Sequence, residues 1–158
     1  MAVRLRPLRD DELPAFVEHA RAAYEDELVS QAGLRPAEAA QKAVDDWSRL
    51  LPDGNVPPGN DLYAIEDEAS GERVGDLWIA ERDNDVGEKT LFVYSIEIFP
   101  ELRGRGFGRE AMLLFEDEAR RRGLSQANLT VLGGNDVARS LYRSLGYVER
   151  AVFMSKDL

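Results

Sequence analysis

The stretch Ile96-Glu97-Ile98-Phe99-Pro100-Glu101-Leu102-Arg103-Gly104-Arg105-Gly106-Phe107-Gly108-Arg109 concentrates the chemistry of this 158-residue chain. It reads as a strand, a glycine-rich turn and the start of a helix. A helix start leaves several backbone N–H groups unpaired, and those donors with the helix dipole favour an anion, most often a phosphate. Glycines admit positive φ and let a ligand approach the backbone closely. Arg103, Arg105 and Arg109 add three cations with no acid among them, and guanidinium forks suit phosphate geometry. In a chain of formal net charge -10 this is a local reversal of sign. The pattern is not a Walker A loop, because Gly-Lys-Ser/Thr is missing. It is one residue short of the dinucleotide spacing, and no acid ends the following strand.

A second group of residues lies downstream: Asn135, Ala138, Leu141, Tyr142, Leu145 and Gly146-Tyr147. Tyr142 falls on the helical stripe Ala138-Leu141-Tyr142-Leu145, so spacing alone makes it a core residue. Asn135 alone reads as a helix cap, with Asp136 in competition for that place.

The elements that must position these residues run in the order β-α-α-β-β-β-α-β-α-β-β. Residues 3–8 read as a strand. Asp10 is the expected N-cap of a helix carrying Leu13, Phe16, Val17, Ala20, Tyr24 and Leu28. Gly33 ends it, and Pro36 opens a second helix with Ala40, Ala43, Val44, Trp47 and Leu51 on its stripe. Residues 62–66 and 74–80 form a hairpin, and residues 90–99 a longer strand rich in β-branched and aromatic residues. A helix with Ala111, Met112, Phe115 and Ala119 on one face ends at Gly123. Residues 127–132 are a strand, residues 136–145 a short helix, and residues 147–150 and 152–155 two closing strands.

Composition removes other chemistries. Zero cysteines exclude disulfides, thiolate nucleophiles and Cys-ligated metal, and a single histidine, His19, excludes a His-rich metal site. His19 falls off its helix stripe and is expected at the surface with no role. Thirty acids against 20 bases disfavour nucleic-acid binding, which needs a basic face. No apolar run reaches the ~18 residues that span a membrane. A single domain over residues 1–158 in the cytoplasm is expected, and 158 residues bury roughly 70% of the unfolded surface without help from a staple.

Taken together, the two motifs resemble those of the GNAT superfamily of acetyl-CoA-dependent N-acetyltransferases. The family pattern Gln/Arg-x-x-Gly-x-Gly/Ala matches Arg103-Gly104-Arg105-Gly106-Phe107-Gly108. The second pattern, Asn, Ala, Leu-Tyr and Gly-Phe/Tyr, matches Asn135, Ala138, Leu141-Tyr142 and Gly146-Tyr147. The resemblance covers nearly the whole chain. It implies an α/β GNAT fold: one mixed central sheet with splayed central strands, flanked by about four helices. It implies acetyl-CoA as co-substrate, with no metal. The pantetheine arm would pair with the strand edge at Ile96, Glu97 and Ile98, the pyrophosphate would sit on Arg103 to Gly108 and Arg109, and Asn135 and Ala138 would line the arm. Tyr142 would protonate the departing thiolate.

Some relatives place a glutamate base on the strand before the Asn motif. Asn128-Leu129-Thr130-Val131-Leu132 has no acid, so Glu97 takes that place as the candidate base, with a salt bridge as its bland alternative. Tyr94 and Ser95 are secondary candidates to hold a relay water. The expected reaction is direct attack of a primary amine in a ternary complex, polarised by the Ile98 N–H. Small-molecule amines come first as acceptor and protein N-termini or lysines second. A non-catalytic acyl-CoA-binding module is the reading from another class. Tyr24, Glu25, Glu27 and Trp47 lie on or near the acceptor side; Tyr24 and Trp47 are read as core, and Glu25 and Glu27 as a solvated face that could hold a cation. Exposed closing strands are compatible with a homodimer.

Overall fold

A computed structural model describes residues 2–158. Five strands form one sheet in the order β1-β2-β3-β4-β5: β1 Val3–Pro7, β2 Asn60–Asp67, β3 Arg73–Asp83, β4 Lys89–Ile98 and β5 Ala127–Leu129. The first four are antiparallel, and β5 joins β4 in parallel. Four helices flank the sheet: α1 Leu13–Ser30, α2 Pro36–Leu50, α3 Phe107–Arg121 and α4 Asp136–Ser144.

The alternation of β3 decides which helices cover which face. Leu77 and Ile79 point to one face and pack with Ala111, Met112 and Phe115 of α3, with Tyr142 and Leu145 of α4 at the edge of that cluster. Trp78 points to the other face and packs with Phe16 and Ala20 of α1 and Trp47 of α2. The indole N–H of Trp78 donates to Asn60 Oδ1 at 2.9 Å, so the buried ring leaves no polar atom unpaired.

Two irregularities in β4 open the sheet at its centre. Opposite β3 the register steps from Trp78↔Ser95 to Ile79↔Val93, so Tyr94 is an extra residue, a bulge. On its other side β4 pairs with β5 only through Leu91, Phe92 and Val93. Beyond the bulge the two strands part, and the β5-facing edge of β4 from Tyr94 to Ile98 has no strand partner. The expected splay of the central strands is present.

Three expectations are corrected. The strand expected over residues 127–132 stops at Leu129, because the divergence from β4 removes its partner. Asp10 is not the cap of α1: Asp10–Glu12 form a 3₁₀ turn, and Glu12 reaches back to accept the Arg9 N–H at 2.8 Å. The two closing strands are not formed. Residues 147–158 run without strand, and Val152, Phe153 and Met154 are exposed, Phe153 at 94%. Their apolar and β-branched character reads as strand, yet strand structure needs a partner ladder. Tyr147 alone packs on the core, edge to face with Tyr142 at 5.9 Å.

Candidate active site

The turn after β4 is built for an anion. Pro100–Leu102 make one 3₁₀ turn, and Gly104 and Gly106 then take φ of 75° and 90°, the left-handed region open to glycine. Gly106 caps α3 in that conformation. Among the described residues, the backbone N–H groups from Gly104 to Arg109 have no acceptor, which leaves a row of donors at the positive end of a 15-residue helix. Phe107 turns its ring into the core, so only its backbone faces the turn. Gly108 lies where a Cβ would touch Ile98 and Leu141 side chains at 3.7 Å, which puts the helix start, the end of β4 and α4 together.

The three arginines do not share one role. Arg103 points back onto β4: its Nε donates to the Ile98 carbonyl at 2.8 Å and its Nη2 to Glu97 Oε1 at 3.3 Å. Arg105 donates to the Glu101 carbonyl at 3.3 Å. Arg109 donates to Ser144 Oγ of α4 at 2.5 Å and so ties α3 to α4.

Ile96 and Ile98 turn toward the α3 face, and Glu97 toward α1. The Glu97 side chain is 17% exposed, and its Oε2 lies 2.9 Å from His19 Nε2. The salt bridge weighed as an alternative for Glu97 is therefore present, to both His19 and Arg103. Across the β3–β4 ladder Glu97 faces Asp76, a buried carboxyl held by Arg73. Burial pushes the Asp76 pKa up, and the neighbouring Glu97 adds to this.

On the far side of the gap, Asn135 is the cap of α4, with its Oδ1 accepting the Ala138 N–H at 3.1 Å. Asp136 does not take that place, and the Ala138 N–H is already used. Tyr142 packs at the rim of the α3 core and on Tyr147. Burial pushes its phenol up to about 12, with the Glu27 carboxylate adding in the same direction. Glu27 on α1 is itself raised by burial and by the Glu97 charge, with Arg103 opposing. Glu27 thus raises the Tyr142 phenol and is itself raised by the Glu97 charge. The end of α1 closes the gap: the Gly134 N–H donates to the Gln31 carbonyl at 3.1 Å, and a Cβ on Gly134 would stand 2.7 Å from that oxygen.

Sequence reasoning undervalues His19 and Glu27. They are eight residues apart, two turns of one helix, and so lie on one face. Both read as solvated because the apolar stripe of α1 points elsewhere. Their spacing relative to each other is the signal that could find them. Tyr24 and Trp47 are packing residues of the α1–α2 side, as expected. Tyr24 also donates to Asp46 at 2.8 Å. Tyr94 packs on Trp78 at 5.0 Å, and the structure gives it no bond to Glu97.

A strand with a bulge and an unpaired edge, followed by a glycine turn of free N–H groups, is the arrangement that the resemblance to the GNAT superfamily implies. The model of the acetyltransferase (GNAT) family matches residues 34–147, and the chain belongs to that family. It is 28% identical over 159 residues to the uncharacterised N-acetyltransferase YycN of Bacillus subtilis, with 100% of both chains covered. The crystal structure of YycN superimposes with a TM-score of 0.89 over 99% of each chain at 27% identity. A mycothiol acetyltransferase of Propionibacterium freudenreichii is 30% identical over 145 residues, which cover 92% of this chain and 43% of that protein. The chain is an acyltransferase of a family that uses acetyl-CoA as co-substrate, and no group of acids and histidine among the described residues could hold a metal ion.

Proposed function

We propose that this protein transfers acetyl from acetyl-CoA to a primary amine of a small molecule, by direct attack in a ternary complex. The observation that carries the reading is the unpaired edge of β4, which bears Glu97 and runs into the glycine turn of free N–H donors. Two carboxylates suit an ammonium group, and a phenol suits a departing thiolate.

Acetyl-CoA supplies the activated acetyl group. Its pyrophosphate is suited to the N–H groups of Gly104 to Arg109, with Arg103 and Arg105 adjoining and Arg109 fixing α3 against α4. The free edge at Ile96, Glu97 and Ile98 can pair with the amide-bearing arm as an added strand does, with Asn135 and Ala138 on the opposite wall. The Ile98 N–H is the donor for the thioester oxygen. Glu97 takes one proton from the acceptor ammonium. The nitrogen then forms the C–N bond, the C–S bond breaks, and the second N–H proton is released to solvent as the amide forms, from which Tyr142 recovers the proton it gives to sulfur. Tyr142, protonated at any working pH, donates to the sulfur as its charge develops. The chain has no cysteine to form a thioester acyl-enzyme.

The small-molecule acceptor is favoured over a protein one because the relatives whose names state an acceptor name mycothiol. The test is thiol release from acetyl-CoA over a panel of polyamines, aminosugars, amino-terminal peptides and lysine peptides. Turnover with a small amine above every peptide supports the reading. Turnover confined to peptides, or acetyl-CoA binding with no turnover on any amine, rejects it.

A further inference from the structure

We infer that His19 is the positioning residue of this site: it fixes the Glu97 carboxylate in the orientation from which it accepts the acceptor's proton. This rests on the reading of Glu97 as the base. The two oxygens of one carboxylate are held by two different elements, Oε2 by His19 of α1 at 2.9 Å and Oε1 by Arg103 of the glycine turn at 3.3 Å. The imidazole is itself fixed, with its plane at 90° to the Phe99 ring and centroids 6.2 Å apart. Its side chain is 52% exposed, so one end of the ring meets water and the other meets a carboxylate that is 17% exposed.

Arg103 reaches Glu97 from the turn after β4 and His19 reaches it from α1, so removal of His19 leaves the carboxylate on a single side-chain contact, to Arg103 at 3.3 Å. The other charged groups facing this pair are Asp76 and its partner Arg73 from β3, and Glu27 from α1.

The test compares His19→Ala and His19→Gln with the unaltered protein, at saturating acetyl-CoA and the best amine of the panel. Glutamine keeps a side-chain donor. His19→Ala is expected to lower kcat by about 10- to 100-fold, the scale of a misplaced catalytic group, and to leave the KM for acetyl-CoA within about twofold. His19→Gln is expected to recover most of that loss. An unchanged kcat in His19→Ala overturns the inference, as does a His19→Gln variant as slow as His19→Ala. A second readout needs no substrate. His19 is the chain's sole histidine, so a histidine-labelled sample gives one set of imidazole NMR signals. Those signals are expected to move in Glu97→Ala. Superimposable signals show that the pair is not formed and overturn the inference, even where the amine panel succeeds; shifted signals with a failed panel leave the pair standing and reject the acetyl-transfer reading instead.

Discussion

Gly75 of β3 stands directly behind the backbone of Glu97: a Cβ on Gly75 would lie 2.1 Å from the Glu97 carbonyl oxygen and 3.1 Å from the Ile98 Cα. Only a residue without a side chain lets β4 run this close to β3 at the point where it carries the candidate base. The backbone amide of Ile98 and the carboxylate of Glu97 are placed together by that approach.

Gly75→Ala is therefore expected to push β4 away from β3 below the bulge. Overpacking of this kind costs about 1–3 kcal/mol, read as a lower urea midpoint. Activity should fall further than the folded fraction does, because Glu97 and Ile98 move together. Full activity per folded molecule would show that β4 is placed by something other than this contact.

Tyr142→Phe removes the proposed proton donor and keeps the ring on the α3 core. A loss of about 10²–10⁴ in kcat is expected, with the KM for acetyl-CoA and the melting temperature little changed. Burial holds the phenol near 12, so its proton is present through pH 10. The pH–kcat curve of the unaltered protein should accordingly show no alkaline fall between pH 8 and 10 assignable to Tyr142, and stopped-assay rates across that range measure it.

Arg103 belongs to the turn and donates to Glu97, the proposed base. Arg103→Ala is expected to raise the KM for acetyl-CoA by about 10- to 100-fold, the worth of a charge-assisted hydrogen bond, and to free Oε1 of Glu97. The increase should be larger at low salt than at high salt, because the lost term is electrostatic. A KM that does not move would assign Arg103 to Glu97 and the Ile98 carbonyl alone.

The strands up to β4, all four helices and the glycine turn are legible in the sequence, because each has periodicity or punctuation of its own. Leu77 and Trp78 alternate as a strand buried on both faces must, and Gly33, Pro36, Gly123 and Gly146 end or open helices where expected. The features that escape depend on partners distant in sequence. Val152-Phe153-Met154 has strand composition and no ladder to join. The bulge at Tyr94 is a mismatch of two strands and is marked by neither alone. Arg103 reads as a phosphate ligand and is turned onto Glu97, because the carboxylate reaches it through a fold in the chain. His19 lies off the apolar stripe and so reads as idle surface, yet a polar residue off the stripe is what a site between a helix and a splayed strand requires.

Glu12 links the N-terminal turn to the site and predicts the acid limit of the fold. Its two oxygens accept from both Arg6 Nη atoms at 3.0 and 2.9 Å and from the Arg9 N–H, and Arg73 lies 3.5 Å away on its path to Asp76. These donors lower the Glu12 pKa from 4.5 to about 2. A folded-state value below the unfolded one means that the contribution is complete above about pH 4.5, shrinks as pH falls, and is gone below about pH 2. Glu12→Gln keeps the shape and removes the charge. It is expected to cost about 1.5–3 kcal/mol at pH 7, the range for hydrogen bonds to charged groups. The difference from the unaltered protein should narrow steadily as urea unfolding is repeated from pH 5 down to pH 2. A difference that stays constant with pH would mean that the ionised carboxylate contributes nothing beyond its volume, and that Arg6 and Arg73 are held by Glu66 and Asp76 alone.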